Sequence, residues 1–467
     1  MDVCKFLSNL LGKEFKEKEP IANTAIEQVS KPLPPIDYKL DESQQELFDL
    51  IENTTQNIFI QGQAGTGKST FINYLKAYSS KRIRVVCPTA VAAINIGGST
   101  IHSLFNLPLS DFFIFDELIK TPRKKLKSIL LKTDLLIIDE VSMVRPDMLD
   151  AIDLLSKQLR EKDAPFGGLQ LLLVGDLCQL PPVIKSNTYD VFKRTYGYRM
   201  PYFFDSNAYK NGNFKKIELT KVYRQEDTEL LENLINIRKN INIEDSIAYF
   251  NTCKITDKNI LNTAITITPY RNIAENINQK RLGDLPSEVH TYVCQTKDSF
   301  DDAKDAPAPR VLTLKVGALV IFNKNNNPIW INGTSGIVEE LEEDVIKVRI
   351  LNNDTVVPVK REEWKNYAYD YDRDTGAVVE KEIGSFIQFP LQLGYALTIH
   401  KAQGKTLDKV IIEMSKGAFA SGQLYVALSR TRHKADIHIP KRIDEADIII
   451  DDRIVEFCTL VRFARFS

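Results

Sequence analysis

The chain has 467 residues, enough for two to four domains at roughly 100–200 residues each. Its 61 Lys and Arg stand against 62 Asp and Glu, which excludes a polycation that holds nucleic acid by bulk charge but leaves room for a local basic groove. With 43% hydrophobic and 26% charged residues, the composition is that of a globular protein able to bury more than one core.

Residues 1–39 read as an N-terminal extension and linker. In it Leu7, Leu10 and Leu11 are followed by Glu14, Glu17 and Glu19, which fits neither a secretory signal nor an acid-poor transit peptide. The extension ends in Lys31-Pro32-Leu33-Pro34-Pro35, a stiff extended connector. An amphipathic helix is predicted from Asp41, with Leu47, Leu50 and Ile51 on one face. Asn57-Ile58-Phe59-Ile60 reads as a buried strand closed by a glycine-rich turn, and Ser69 to Tyr78 has the helical pattern. Arg84–Cys87, Leu135–Ile138 and Leu171–Val174 read as further buried strands. Strands alternating with helices at this spacing predict an α/β fold with parallel, doubly wound sheets.

A first such domain is expected over 40–190 and a second over 191–310 plus 387–440. Between them the texture changes. Short β-like runs (Ala318–Phe322, Val345–Ile350, Val356–Val359) separated by Asn- and Gly-rich turns predict a small antiparallel barrel over 311–386, entered at Ala306-Pro307-Ala308-Pro309. Residues 441–467 form a tail with apolar runs at Ile448–Ile450 and Phe457–Leu460 to which the sequence assigns no function. The longest apolar stretches are far too short for a membrane span. The six cysteines are scattered, with no CxxC pair and no histidine at metal spacing, so a reducing cytoplasm is the expected setting.

Gly62-Gln63-Ala64-Gly65-Thr66-Gly67-Lys68-Ser69 fits a phosphate-binding loop between a strand and a helix. Its glycines let successive N–H groups converge on phosphates while the helix N-terminus adds its positive dipole end. Gly62, Ala64, Gly65, Thr66, Gly67, Lys68, Ser69 and Thr70 are therefore nucleotide-binding candidates, Lys68 reaching the β/γ-phosphates and Ser69 a magnesium ion. Asp139-Glu140 ends the run Leu135–Ile138, where a carboxylate beside such a loop meets the metal. Asp139 is the metal-side acid, and Glu140 is placed to orient or deprotonate the attacking water. In Gly175-Asp176-Leu177-Cys178-Gln179-Leu180-Pro181-Pro182, Gln179 can touch the γ-phosphate and sense its loss. Arg224 and Arg430 are candidate arginine fingers, a role worth roughly 10³–10⁵ in rate.

These motifs, with Val426-Ala427-Leu428-Ser429-Arg430, occur in the order found in superfamily 1 DNA helicases. Pro88-Thr89-Ala90-Val91-Ala92-Ala93 and Leu397-Thr398-Ile399-His400-Lys401-Ala402-Gln403-Gly404 also resemble their DNA-contacting and coupling motifs. The stretch Val141 to Gly175, including Lys162-Asp163-Ala164-Pro165-Phe166-Gly167-Gly168, is similar to the signature of the petite-integration-frequency (Pif-type) helicases. The resemblance runs from about Leu40 to Arg432 and matches a compact, bacterial-like form.

It implies a 5′→3′ helicase of superfamily 1B acting in genome maintenance, with ATP and Mg²⁺ as cofactors. Two RecA-like motor domains would clamp ATP, with Arg224 and Arg430 facing Lys68 across the cleft. The barrel would be an SH3-like subdomain. Gln44 matches the family's adenine-reading glutamine, with Gln45 as the alternative, and Gly404 belongs to the nucleotide-side motif. Thr89, Ser99, Thr100, His102, Thr398, His400 and Lys401 match DNA-contacting positions, although His102 and His400 read equally well as core residues. About residues 104–132, with Phe112, Phe113 and Phe115 and the run Arg123-Lys124-Lys125-Leu126-Lys127, lie where the family inserts a wedge. That run either faces the fork or is a solvated helix face.

The expected partners are single-stranded DNA and forked or tailed duplexes, with G-quadruplexes and RNA–DNA hybrids as further family substrates. No membrane is involved, and a monomer, or a dimer on DNA, is expected in the bacterial nucleoid. The competing function is a DNA-stimulated ATPase that loads or holds single strands without unwinding.

Overall fold

The computed structural model describes residues 39–466 except 109–112, 114, 122, 183, 185–192, 195–196, 225–226, 256–258, 299–305, 327–328, 331, 372–377 and 461–463. The extension and its proline-rich connector lie outside the described residues. From Leu40 onward the chain forms one compact unit.

Its first sheet has seven strands, ordered Ala464–Phe466, Lys215–Leu219, Ile58–Gly62, Gln170–Gly175, Leu135–Ile138, Ile83–Cys87 and Ser99–Thr100, every neighbouring pair parallel. The unbroken apolar runs follow from helices covering both faces, because successive strand residues point to opposite sides. Leu136, Ile138, Leu171 and Leu173 pack under the helix Pro146–Arg160 through Leu149, Ile152 and Leu155. Leu135, Ile137, Leu172 and Val174 meet Leu47 and Ile51 of the helix Glu42–Asn53 and Phe71, Ile72 and Leu75 of the helix Lys68–Tyr78.

The boundary expected at residue 190 is corrected here. Lys215–Leu219 pairs in parallel with Ile58–Gly62, and Ile217 and Leu219 share the core of Ile60, so this strand belongs to the first sheet. The tail is also part of the structure. Ile448 packs against the second core, Asp451 accepts from Tyr202 Oη at 2.7 Å, and Ile454 and Phe457 of the helix Asp452–Leu460 join the first core. Ala464–Phe466 then adds an edge strand beside Lys215–Leu219.

The second sheet is parallel, in the order Ala396–Thr398, Ile265–Thr268, Val410–Ile412 and Ile437–His438. It buries Leu230, Leu234 and Ile237 of the helix Thr228–Lys239 and Leu424, Val426 and Leu428 of the helix Gln423–Leu428. Leu180, from the first domain, sits in the same cluster.

Between these elements lies a five-stranded sheet, Val356–Lys360, Val345–Ile350, Ser335–Leu341, Leu319–Phe322 and Leu391–Leu393, each pair antiparallel. Alternate residues Ile346, Val348 and Ile350 turn inward onto Phe322, Trp330, Val338 and Leu391. The expected limits of 311–386 shift in two ways. Leu391–Leu393 lies past 386, and the hairpin Glu362–Tyr371/Val378–Gln388 leaves this sheet to pair with Gln295–Asp298. Trp364 and Phe386 of that hairpin bury against Ile94 of the first domain, which accounts for its departure.

In the region expected to form a wedge, Phe115–Lys120 and Lys124–Leu131 are helices whose Leu118, Leu126, Ile129 and Leu130 enter the first core. Arg123 does not face solvent. Its guanidinium donates to the carbonyls of Phe105 (3.2 Å), Leu118 and Thr121 (3.0 Å), and Lys127 pairs with Glu161. Lys124 and Lys125 are the exposed members of the basic run, Phe113 is enclosed, and Phe112 lies outside the described residues. No helix among the described residues is long and apolar enough to cross a membrane.

Candidate active site: a cleft between two parallel sheets

The strand Ile58–Gly62 leads into a loop closed by Gly67, which caps the helix Lys68–Tyr78 with φ 79°. Lys68 Nζ donates to the carbonyls of Gly62 (2.6 Å) and Gln63 (2.9 Å), so the loop curls around its own lysine. Thr66 Oγ1 donates to Gln63 O at 2.9 Å, while Ser69 and Thr70 stand exposed at the head of the helix. Burial lowers the Lys68 pKa against the pull of Asp176, Glu140 and Asp139.

Gln44 is 2% exposed and closes a capping box, donating its N–H to Asp41 Oδ1 (2.9 Å) while its Oε1 accepts from the Asp41 N–H (3.2 Å). Its Nε2 lies 3.5 Å from where a Cβ on Gly67 would stand, and the Tyr223 ring 3.6 Å away. Gln45 instead points outward and donates to Asp49 Oδ1 at 2.9 Å. The Tyr223 N–H donates to Gly65 O at 2.8 Å, which brings neighbouring Arg224 to the loop.

Asp139 is buried where the strand Leu135–Ile138 ends, and Glu140 turns through the left-handed region at φ 54° with its N–H on Asp139 Oδ1 (2.9 Å). Burial, with Glu140 beside it, pushes the Asp139 carboxyl up to about 7. Burial also raises Glu140, against Lys68 and Arg430. Two crowded carboxylates in a dry site favour a cation, and hard oxygen donors at Asp139 and Ser69 suit magnesium.

Asp176 is the hub of the cleft. Its Oδ1 accepts from the Cys178 N–H and from Arg238, each at 3.2 Å; its Oδ2 accepts from Gln179 Nε2 (3.3 Å) and Tyr425 Oη (3.2 Å). Tyr425 Oη in turn accepts from the Ala64 N–H of the phosphate loop at 3.2 Å. Gln403 Nε2 crosses from the second domain to Glu140 Oε2 and Gln179 Oε1, both at 3.2 Å. Gly404 follows at φ 77°, where an added Cβ would meet no described atom within 4 Å.

Arg430 is 1% exposed and held by its own domain: Nε donates to Val426 O (2.6 Å), Nη1 to Lys405 O (3.2 Å) and Nη2 to Ser429 Oγ (2.7 Å). Burial and the charge of Arg224 bring it down to about 9. Burial likewise lowers Arg224. Lys68, Arg224 and Arg430 are thus three cations whose charge burial disfavours, each within electrostatic reach of Glu140.

Lys68, Asp139, Glu140, Gln179, Arg224 and Arg430 are thus brought together around one cleft. Sequence reasoning assigned no role to Asp176, Gln403, Tyr425 or Arg238. The first three lie inside or beside recognised motifs, whereas Arg238 sits in a helix pattern that gives no signal.

The DNA-side candidates divide between the domains. Thr89 and Thr100 cap the helices Ala90–Ile96 and Ile101–Phe105, accepting from the N–H groups of Ala92 (3.3 Å) and Ser103 (3.1 Å). Ser99 is 2% exposed, enclosed where its strand pairs with Val86, so its hydroxyl does not face a groove. His102 is half-buried 6.1 Å from the Phe113 ring centroid, and burial followed by Arg145 lowers its pKa. On the second domain, Thr398 caps the helix Ile399–Ala402 and lines, with His400, Lys401 and Arg271, a cleft of about 550 Å³. The Lys162–Gly168 signature is structural: Phe166 is enclosed, its N–H donates to Asp153 Oδ1 (2.6 Å), and Arg160 Nε donates to Gly167 O (2.8 Å).

A model of PIF1-like helicases matches residues 39–256, and one of the UvrD-like helicase C-terminal domain matches residues 393–437. Over 444 residues the chain is 32% identical to the ATP-dependent DNA helicase Pif1 of Campylobacter jejuni, covering 88% of this chain and 96% of that protein. The fold is similar to that of Bacteroides sp Pif1 in complex with ADP-AlF4, at 39% identity and a TM-score of 0.83 over 91% of this chain and 97% of the other. Against Bacteroides Pif1 bound to ssDNA, at the same identity and coverage, the TM-score is 0.67. With its phosphate loop, its acidic strand end and its cross-cleft glutamine in one nucleotide cleft, the chain belongs to the PIF1-like helicase family.

Proposed function

We propose that this chain, an ATP-dependent DNA helicase by family, moves 5′→3′ on single-stranded DNA and separates tailed or forked duplexes, with G-quadruplexes and RNA–DNA hybrids as further substrates at the bacterial nucleoid. The observation that carries the reading is Gln403, which reaches from one parallel-sheet domain to Glu140 and Gln179 of the other. Groups that must face a nucleotide's γ-phosphate are thereby linked to the segment that also presents Thr398, His400 and Lys401 to the 550 Å³ cleft.

In this reading the phosphate loop and Lys68 hold the β/γ-phosphates, Gln44 reads adenine, and Ser69 and Asp139 would hold Mg²⁺, which supplies charge neutralisation when bound. Water attacks the γ-phosphorus, the P–O bond to the β-phosphate breaks, and the proton passes to Glu140. Arg224 and Arg430 face the charge that builds on the transferring group, and Gln179 and Gln403 register its departure. Thr89, Thr100, His102, Thr398, His400 and Lys401 grip the strand. The five-stranded sheet acts as the SH3-like barrel, and the helices between Phe115 and Leu131, through exposed Lys124 and Lys125, as the wedge.

The test is strand separation with ATP and Mg²⁺ on two duplexes, one with a 5′ tail and one with a 3′ tail. Unwinding of the 5′-tailed duplex alone, lost in Lys68→Ala and Arg430→Ala, is the expected result. ATP hydrolysis with neither duplex opened would replace the motor by a loading factor.

A further inference from the structure

The segment Ala402–Asp408 is held from two sides. On one, it builds the nucleotide cleft: the carbonyls of Ala402 and Lys405 accept from Arg430 Nη1 (3.4 and 3.2 Å), the Leu407 N–H donates to Arg430 O (2.9 Å), and Gln403 crosses to Glu140 and Gln179. On the other, it is fastened to the five-stranded sheet. Lys405 Nζ donates to Asn332 Oδ1 at 2.5 Å, and Asp408 accepts from the Ser335 N–H (3.3 Å) and Asn352 Nδ2 (2.8 Å). At Gly333 the backbones come so close that an added Cβ would lie 2.2 Å from Thr406 O.

Lys405 joins the two sides in one residue. Its side chain reaches Asn332, in the turn that leads into the strand Ser335–Leu341 of the inserted sheet, while its carbonyl holds Arg430. It is 9% exposed, burial with the nearby charge of Lys401 lowers its pKa to about 8, and its ammonium donates to the Asn332 oxygen. A buried, hydrogen-bonded joint of this kind does not yield gradually; displacing the sheet either breaks it or carries Arg430 and Gln403 along.

We propose that Asn332, through Lys405, is a positioning residue that gears the inserted β-sheet, whose Gln392 and Leu393 line the 550 Å³ cleft beside Thr398, His400 and Lys401, to Arg430 and Gln403, so that a DNA strand held in that cleft sets the geometry of the nucleotide cleft. The proposal rests on the reading that Arg430 and Gln403 serve ATP hydrolysis. Asn332 touches neither nucleotide nor the groups that act on it. Its role is in coupling, which is a free energy between two sites and can be lost while each site keeps its own activity.

The experiment compares ATP hydrolysis with and without a single-stranded oligonucleotide, together with oligonucleotide affinity, in the full chain. For Asn332→Ala, hydrolysis without DNA and DNA affinity stay as in the unaltered chain, while the DNA-stimulated increment falls about tenfold. Asn332→Asp, which keeps an acceptor for Lys405, retains stimulation within about twofold, and adding Lys405→Met to Asn332→Ala costs no more than Asn332→Ala alone. Full stimulation in Asn332→Ala overturns the coupling, as does a loss that tracks weaker DNA binding. If Arg430→Ala leaves hydrolysis intact, the arginine reading falls and the coupling with it. If Arg430→Ala abolishes hydrolysis while Asn332→Ala is fully stimulated, the coupling alone falls.

Discussion

Gln44 and Gln45 are adjacent on one helix, and their residue type does not separate them. The difference comes from what lies alongside. Gln44 turns inward between Asp41 and the Gly67 bend, close to Tyr223, whereas Gln45 spends its amide on Asp49 at the surface. An amide pairing with an adenine edge is worth about 1–2 kcal/mol. Gln44→Ala is therefore expected to raise the KM for ATP about tenfold, with kcat little changed and the preference for ATP over GTP reduced. Gln45→Ala should leave steady-state kinetics with either nucleotide unaltered. Equal effects of the two substitutions would remove the adenine assignment. The motif brings this pair forward from sequence, and only their tertiary neighbours distinguish the two side chains. Ser99 is the opposite case: its motif suggested a groove contact, and its strand pairing with Val86 encloses it.

At the scale of elements, four-residue apolar runs such as Leu135–Ile138 were legible because strands covered on both faces leave no polar alternation to interpret. What could not be read was pairing across long sequence distances. Nothing local in Lys215–Leu219 marks it as the neighbour of Ile58–Gly62, and nothing in Ala464–Phe466 marks it as the neighbour of Lys215–Leu219. Arg238 was hidden for the same reason, since Asp176 is 62 residues away along the chain. The tail shows the energetic side of this. Ile454 is fully enclosed in the first core, and Phe457 stacks on Phe204 at 4.1 Å between ring centroids. Ile454→Ala should cost about 2–4 kcal/mol, read as a lower denaturant midpoint at unchanged slope. Exposed Glu456→Ala should stay within about 0.5 kcal/mol. An unshifted midpoint for Ile454→Ala would mean that the tail helix does not contribute to the folded core.

For the molecule as a whole, the decisive quantity is how closely the two parallel-sheet domains approach. Gly422, at φ 76°, precedes the helix that carries Tyr425, and a Cβ there would stand 2.4 Å from Cys178 O and 2.6 Å from Gln179 O of the other domain. Relieving that overlap requires a separation of about 1 Å, a displacement that can cost on the order of 100-fold when catalytic groups are misplaced. The Tyr425 bonds to Ala64 and Asp176 and the Gln403 bonds to Glu140 and Gln179 are each 3.2 Å long, so the same separation would break all of them. Gly422→Ala is thus expected to lower kcat/KM for ATP about 100-fold. Backbone strain from a positive φ is a competing cause, and Gly417 separates the two effects. It has φ 75°, but its nearest neighbour to an added Cβ is Asp447 Oδ1 at 3.5 Å, with no approach across the cleft. Gly417→Ala should therefore lose a similar amount of folding stability while keeping kcat/KM within a few-fold of the unaltered chain. If both variants lose activity equally, strain rather than the spacing between domains governs the cleft; if only Gly422→Ala does, close approach of the two sheets is what assembles the site.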